Sequence, residues 1–490
     1  MNADMAVQRR SFLYSPAGIV LAIGGVVVLW SLMRGDPTTL VLLAVAVLFL
    51  LGFRRPLWAV AALLVSQFTV TSYMVNTPLG DISLRLLLLV LTLLIMVPAF
   101  VQRQVELGPY ARGLSIPMVL LIVISSIANL VNSFDFAFTD FRNMIVGLLI
   151  VILLPAVIKN RRDLKILCGV SLIVLAASAA IGLMQYYQFL GMDQATLLPG
   201  FLADAEDRRV PGIGETELEL AYLLSTAFLV TLSIYVANGM ASANRKVLFL
   251  CLLLMAPALY FTYTRSALLG LGFGLIALVL FFKTRIKVAM VMGAVLFALI
   301  LIETTGALGG LSLGGRSEGG QEESSIARPI LWQAGIAIAL DNPILGIGGD
   351  RFIAVSPQYA SAVDPSLLEQ EKDRYWGYTT LGNEPIHNDY LHMWVSYGTL
   401  ALIAYVWLYI AILQNFLNSR RISKSRFVRG LSLGLAAAVV AYAVNAFYHN
   451  MMATLPLLWI LAGFSLATSK LASNETAIRN ERLFKVAVRE

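Results

Sequence analysis

The chain holds three histidines, and two of them fall in one ten-residue run, Glu384-Pro-Ile-His387-Asn388-Asp389-Tyr390-Leu391-His392-Met393. The run sets imidazole, amide, carboxylate and phenol groups where a loop enters a strongly apolar segment. Polar groups are costly in a bilayer, so this cluster at the mouth of a hydrophobic helix reads as a working site. Imidazole titrates near neutrality and suits general-base activation of a hydroxyl group. The competing reading is a histidine that only satisfies loop backbone. A metal pair is disfavoured, because residues five apart on a helix point about 140° from each other and the i,i+4 spacing of a helical zinc pair is missing. His392 is therefore expected to pack against its own helix. His449 could join the site, but the sequence sets no distance for it.

Arginines supply the complementary chemistry. Arg265 stands in Phe261-Thr-Tyr-Thr-Arg-Ser-Ala-Leu-Leu-Gly270, between two apolar runs joined by almost no loop. Flanking hydroxyls at Thr262, Thr264 and Ser266 favour an anion ligand there over an arginine snorkelling to headgroups. Arg208 and Arg209 precede another apolar run but have acids beside them, so a solvated charge cluster competes. Arg142 carries a weaker version of the same reading. Residues 357–383 are polar and aromatic, with Tyr359, Tyr375, Trp376 and Tyr378. Flat rings with polar edges suit sugar faces, and they equally suit anchoring at headgroup level. Gly346-Ile-Gly-Gly-Asp350 reads as a tight turn, since no strand precedes it as a phosphate loop would require.

The elements that must position these residues are membrane helices. Hydrophobic residues make up 58% of the 490 positions and charged residues 13%, against roughly half and a quarter in soluble domains. Mean hydropathy is +0.78. The expected fold is an all-α polytopic transmembrane bundle of about fourteen spans. These cover 17–33, 38–53, 57–75, 82–101, 115–133, 143–158, 166–190, 218–237, 247–263, 266–282, 288–305, 391–416, 430–448 and 452–469. Most of the 36 basic residues fall in alternate loops and the C-terminal tail, and most of the 29 acidic residues in the others. The positive-inside rule then puts both termini in the cytoplasm and the long loop 306–390 outside. It also accounts for the net charge of +7 without a nucleic-acid partner. An outward-facing site has no cytoplasmic ATP or nucleotide sugar, so its substrate must arrive activated. Within the long loop, 327–340 reads as a short helix with Pro329 in its first turn, after a flexible Gly-rich stretch. Arg9 and Arg10 before the first apolar run read as flanking a retained helix. Cys168 and Cys251, inside apolar segments, suggest neither a disulfide nor a zinc site.

Three segments together resemble the O-antigen ligase and O-antigen polymerase superfamily of bacterial membrane glycosyltransferases. Thr264-Arg265-Ser266-Ala267 resembles the family's Ser/Thr-Arg-Gly/Ala turn. Arg328-Pro-Ile-Leu-Trp332 through Asp341-Asn-Pro-Ile-Leu-Gly-Ile-Gly348 resembles its Arg-x-x-x-Trp…Asn-Pro-x-x-Gly-x-Gly stretch. His387-Asn-Asp-Tyr-Leu391 through Gly398 resembles its His-Asn-x-x-Leu…Gly stretch. Arg209-Val-Pro-Gly212 is similar to its arginine before a middle helix, although Glu215-Thr216-Glu217 departs from the usual asparagine-rich run. The resemblance covers about 205–410. It divides the chain into N-terminal helices (1–204), the family-like core (205–410) and C-terminal helices with a basic tail (411–490).

The resemblance implies a glycan donor on a polyprenyl diphosphate and a hydroxyl-bearing glycan or lipid-core acceptor, at the outer face of a bacterial inner membrane. Arg265, Arg209, Arg208 and Arg328 would hold the diphosphate, with no metal and no cofactor. His387 would be the base, while Asn388, Asp389, Tyr390, Glu384 and Trp376 would meet the acceptor or glycan. Attack at the anomeric carbon would invert it. A transporter or flippase for a lipid-linked glycan or a small anion is the alternative of a different class. Basic residues buried inside the spans would favour it, and Arg85 is the chief candidate for one.

Overall fold

The computed structural model describes residues 38–69, 74–77, 80–102, 106–132, 138–187, 189, 210–214, 216–237, 242–281, 293, 318–375, 379–451 and 456–487. In chain order the helices are α1 (Thr38–Gly52), α2 (Pro56–Thr69), α3 (Leu84–Val101), α4 (Ala111–Asn132), α5 (Phe138–Val157), α6 (Arg161–Tyr186), α7 (Glu217–Val236), α8 (Ser242–Phe261) and α9 (Arg265–Phe281). They continue with α10 (Glu318–Asp341), α11 (Phe352–Val355), a 3-10 turn (Ser356–Ala362), α12 (Pro365–Tyr375), α13 (Asp389–Ile422), α14 (Arg426–Asn445) and α15 (Leu457–Ala487). Among the described residues seven helices could cross a membrane by length and composition: α3, α4, α6, α7, α13, α14 and residues Asn244–Phe261 of α8. Shorter apolar helices stand at α1, α2, α5 and α9. The span expected at 17–33 lies outside the described residues, as does that at 288–305 apart from residue 293.

Three expectations need correction. The helix expected over 57–75 stops at Thr69, and an antiparallel hairpin follows, Met74–Thr77 paired with Gly80–Ser83. The all-helical architecture holds, with this one small hairpin added to it. The short helix expected at 327–340 begins at Glu318, which places Pro329 in its interior and replaces part of the expected flexible stretch. The final helix runs on past the expected apolar span to Ala487.

Asn160, Thr216, Asn388 and Ser425 each cap the helix that follows by accepting a backbone N–H from its first turn. Such caps satisfy donors that lipid could not. α14 is the hub, packed against α7, α9, α13 and α15. Outside it, α3, α4 and α8 expose Leu94, Val119, Val123, Leu250 and Leu253, an apolar belt suited to lipid. Arg85 donates to the carbonyls of Ser66 and Gln67 at the end of α2 (3.3 and 3.1 Å). A charge expected in mid-span therefore closes a helix terminus. Basic residues from separate loops meet at one end of the bundle, where Arg55 pairs with Asp163, Arg161 with Glu475, and Lys470 donates to the Pro155 carbonyl.

At the other end a helical cap forms a second core from Ile330, Leu331, Ile338, Phe352, Ile386, Leu391 and Val395. The first turns of α13 serve both cores. Leu391 and Val395 enter the cap core, whereas Met393 and Tyr397 enter the bundle core. α13 breaks at Gly398 (φ +83°, ψ 179°). The loop 343–348 fills that break: Ile347 and Gly348 donate to the carbonyls of Val395 and Ser396 (both 2.9 Å), and Thr399 N–H donates to Pro343 O (2.8 Å). Irregular backbone is tolerated there because its polar groups are paired within protein. The glycine run after Pro343 is thus a turn, and Gly349 N–H also donates to Asn129 of α4 (2.8 Å).

Candidate active site

His387 occupies the left-handed backbone region (φ +51°), a conformation that histidine visits more readily than most residues. Neighbouring bonds hold it there. Trp332 of α10 donates to Ile386 O (3.2 Å), Asn388 N–H donates to Asn450 Oδ1 (3.0 Å), and Asp389 N–H donates to Ala446 O (2.8 Å). The segment before α13 is thereby tied both to the cap and to the turn after α14. The His387 Nε2 lies 3.1 Å from Glu384 Oε2, an imidazole–carboxylate pair that orients the ring and leaves Nδ1 as its other face.

The second tie carries His449 into the site. Its ring stacks on that of His387, with centroids 5.6 Å apart and planes at 17°. Tyr222 of α7 lies on it too, at 6.0 Å. The Tyr222 hydroxyl meets Ser266 Oγ at 2.9 Å, which places the first turn of α9, with Arg265 as its opening residue, in the same neighbourhood. Tyr263 before it has φ +50°, so two consecutive apolar helices meet in a tight turn here. Arg328 completes the group: burial lowers its pKa, and the phenols of Tyr222 and Tyr448 offset this. A guanidinium partly stripped of water binds an arriving anion strongly.

Burial is also the largest influence on His449, followed by the charges of His387 and Arg328, and together they pull its pKa from 6.5 to about 4. The folded ring is thus neutral where the unfolded one would accept a proton. The contribution of this ring to stability is complete above pH 6.5, falls as pH drops towards 4, and changes no further below that. Thermal unfolding across this range checks the expectation, and His449→Phe should flatten the loss.

The other expected residues fall into two groups. Asn388 is the N-cap of α13, accepting from Leu391 N–H (3.0 Å). Asp389 is 0% exposed and takes the Tyr405 hydroxyl (2.8 Å), which in turn accepts from Tyr409 (2.7 Å). The Tyr390 hydroxyl donates to Ala443 O (2.8 Å). Protein partners therefore engage Asn388, Asp389 and Tyr390, three of the five residues expected to meet the acceptor or glycan. Arg208, Arg209 and Trp376 lie outside the described residues, as does the side chain of Arg142. His392 is buried, with Nδ1 3.4 Å from Ser396 Oγ. Among the described residues no three His, Cys, Asp or Glu side chains gather as a metal-binding group.

Tyr222 had no signal in the sequence, being one phenol in an apolar run, while His449 stood out only by the rarity of histidine. Beside the cluster lies an open apolar groove of about 520 Å3 between α9, α13 and α14, lined by Leu269, Phe273, Tyr390, Tyr409, Val440 and Tyr448 among others.

The class defined here is a helical protein with membrane-crossing helices, whose polar end gathers two imidazoles, a carboxylate and a half-buried arginine. Residues 250–406 match the family model described as O-antigen ligase, which supports the O-antigen ligase superfamily and a ligase- or polymerase-like, glycosyl-transferring role. The matched stretch includes Arg265, Arg328, Glu384 and His387, and leaves out Tyr222 and His449. No curated protein matches the chain.

Proposed function

We propose that this protein is a bacterial inner-membrane glycosyltransferase, an O-antigen ligase or surface-polysaccharide polymerase. It would move a glycan from a polyprenyl diphosphate to a hydroxyl acceptor at the outer face. The observation that carries this is the gathering of His387–Glu384 and Arg328 around His449, beside an open apolar groove. The isoprenoid chain lies along that groove, and the diphosphate meets Arg328, Arg265 and the two arginines Arg208 and Arg209. Glu384 holds His387 Nε2–H, so Nδ1 takes the proton from the acceptor hydroxyl. The acceptor oxygen attacks the anomeric carbon, the bond from that carbon to the diphosphate oxygen breaks, and the carbon inverts. The arginines meet the charge that develops on the departing diphosphate. Trp376 contributes to glycan binding. Asn388, Asp389 and Tyr390 shape the site from behind through the bonds described above.

The test uses purified full-length protein in nanodiscs with a lipid-linked oligosaccharide and a hydroxyl-bearing acceptor lipid. Release of polyprenyl diphosphate is expected, with the glycan recovered on the acceptor. Movement of the intact lipid across the bilayer without carrier release would instead make the protein a transporter. The new linkage separates ligase from polymerase.

A further inference from the structure

The proposed reaction needs one imidazole, yet two are stacked at the site. We infer that His449 is a positioning residue for His387, an aromatic platform that holds the reacting ring and faces the positive charge formed on it. This rests on the transferase reading and assigns a residue beyond the matched stretch 250–406.

The geometry is built rather than incidental. Asn388 and Asp389, the two residues after His387, are hydrogen-bonded to Asn450 and Ala446, which bracket His449. The separation of the two rings is therefore set by backbone-anchored bonds on each side. The ionisable groups that face His449 are His387 from the segment before α13, Arg328 from α10 and Tyr222 from α7. Burial, together with the Arg328 cation, keeps its own ring uncharged at neutral pH, and a proton on His387 would add to that effect. An uncharged aromatic face 5.6 Å from His387 lies within cation–π range once His387 takes the acceptor's proton. Glu384 then meets the same charge at the ring edge, so edge and face are both supported. A charged His449 would do the opposite and oppose protonation of His387.

This separates His449 from a second base, because a platform needs a ring but no nitrogen. Turnover per folded protein should fall about tenfold to a hundredfold in His449→Ala through loss of ring placement, in kcat and not in KM. His449→Phe should restore most of it. His449→Lys should fall below the alanine variant. A second readout needs no turnover. With only three histidines in the chain, the His387 signal can be assigned by NMR in histidine-labelled protein. Its titration midpoint should move little in His449→Phe and fall clearly in His449→Lys.

The inference is overturned if His449→Phe is as inactive as His449→Ala, since the nitrogen then acts directly. It is equally overturned if all three variants turn over like wild type, or if the His387 midpoint ignores the lysine. Wild type that releases no carrier would sink the transferase reading instead, and the midpoints would still decide the role of His449.

Discussion

His387→Asn should lower carrier release by about a hundredfold to ten-thousandfold, the usual contribution of a positioned general base. Asparagine is a better probe than alanine, because it tolerates the left-handed backbone at φ +51°. Alanine would strain the segment that also anchors Trp332 and the first turn of α13. With asparagine the ties to Asn450 and Ala446 can persist, so a loss of rate reports the imidazole and not the loop. Binding of the lipid-linked donor should stay close to wild type, because Arg328 and the groove are unaltered. Glu384→Gln should cost less, since glutamine can still accept the Nε2–H bond but cannot offset the imidazolium charge. Single-turnover measurement of carrier release checks both. Wild-type rates in His387→Asn would remove this residue from the chemistry.

The second large effect is on stability. Gly398 combines φ +83° with ψ 179°, a region open essentially to glycine, and a side chain there costs about 1–3 kcal/mol in backbone strain alone. A β-carbon at this position would also collide with Ile344 O and Leu345 N. Those atoms belong to the loop whose N–H groups occupy the break in α13, so neither side can move without unpairing backbone. Gly398→Ala should lower the melting temperature markedly and reduce the yield of folded protein. Leu400→Ala, at an exposed site just beyond the break, serves as the control and should change little. Equal melting temperatures for Gly398→Ala and wild type would refute this account of the break.

Much of this was legible in the sequence because period and composition speak directly for membrane helices. Most of the described helices and the tight turn at Arg265 followed from apolar runs, and His387 stood out as a polar residue that interrupts them. The break at Gly398 was not legible. Nothing in Trp394-Val-Ser-Tyr-Gly398 differs from a helix that merely contains glycine, since the cause is the loop at 343–348, far earlier in the chain. Asn388, Asp389 and Tyr390 looked like ligands because they are polar and adjacent to His387. At a helix start, however, polar side chains also serve as caps and anchors, and only the partners at Leu391, Tyr405 and Ala443 distinguish the two uses. Tyr222 came to the site through packing between distant helices, which no local pattern encodes.

The shared use of α13 bears on how such a protein could be re-engineered. Leu391 and Val395 belong to the cap while Met393 and Tyr397 belong to the bundle, so no clean seam runs between the two bodies at residue 389. A chimaera that exchanged 318–388 alone would leave Leu391 and Val395 of the cap core behind on the host. The portable unit ends at the glycine break, and a graft should carry the first turns of α13 with it, together with matching residues on the bundle side.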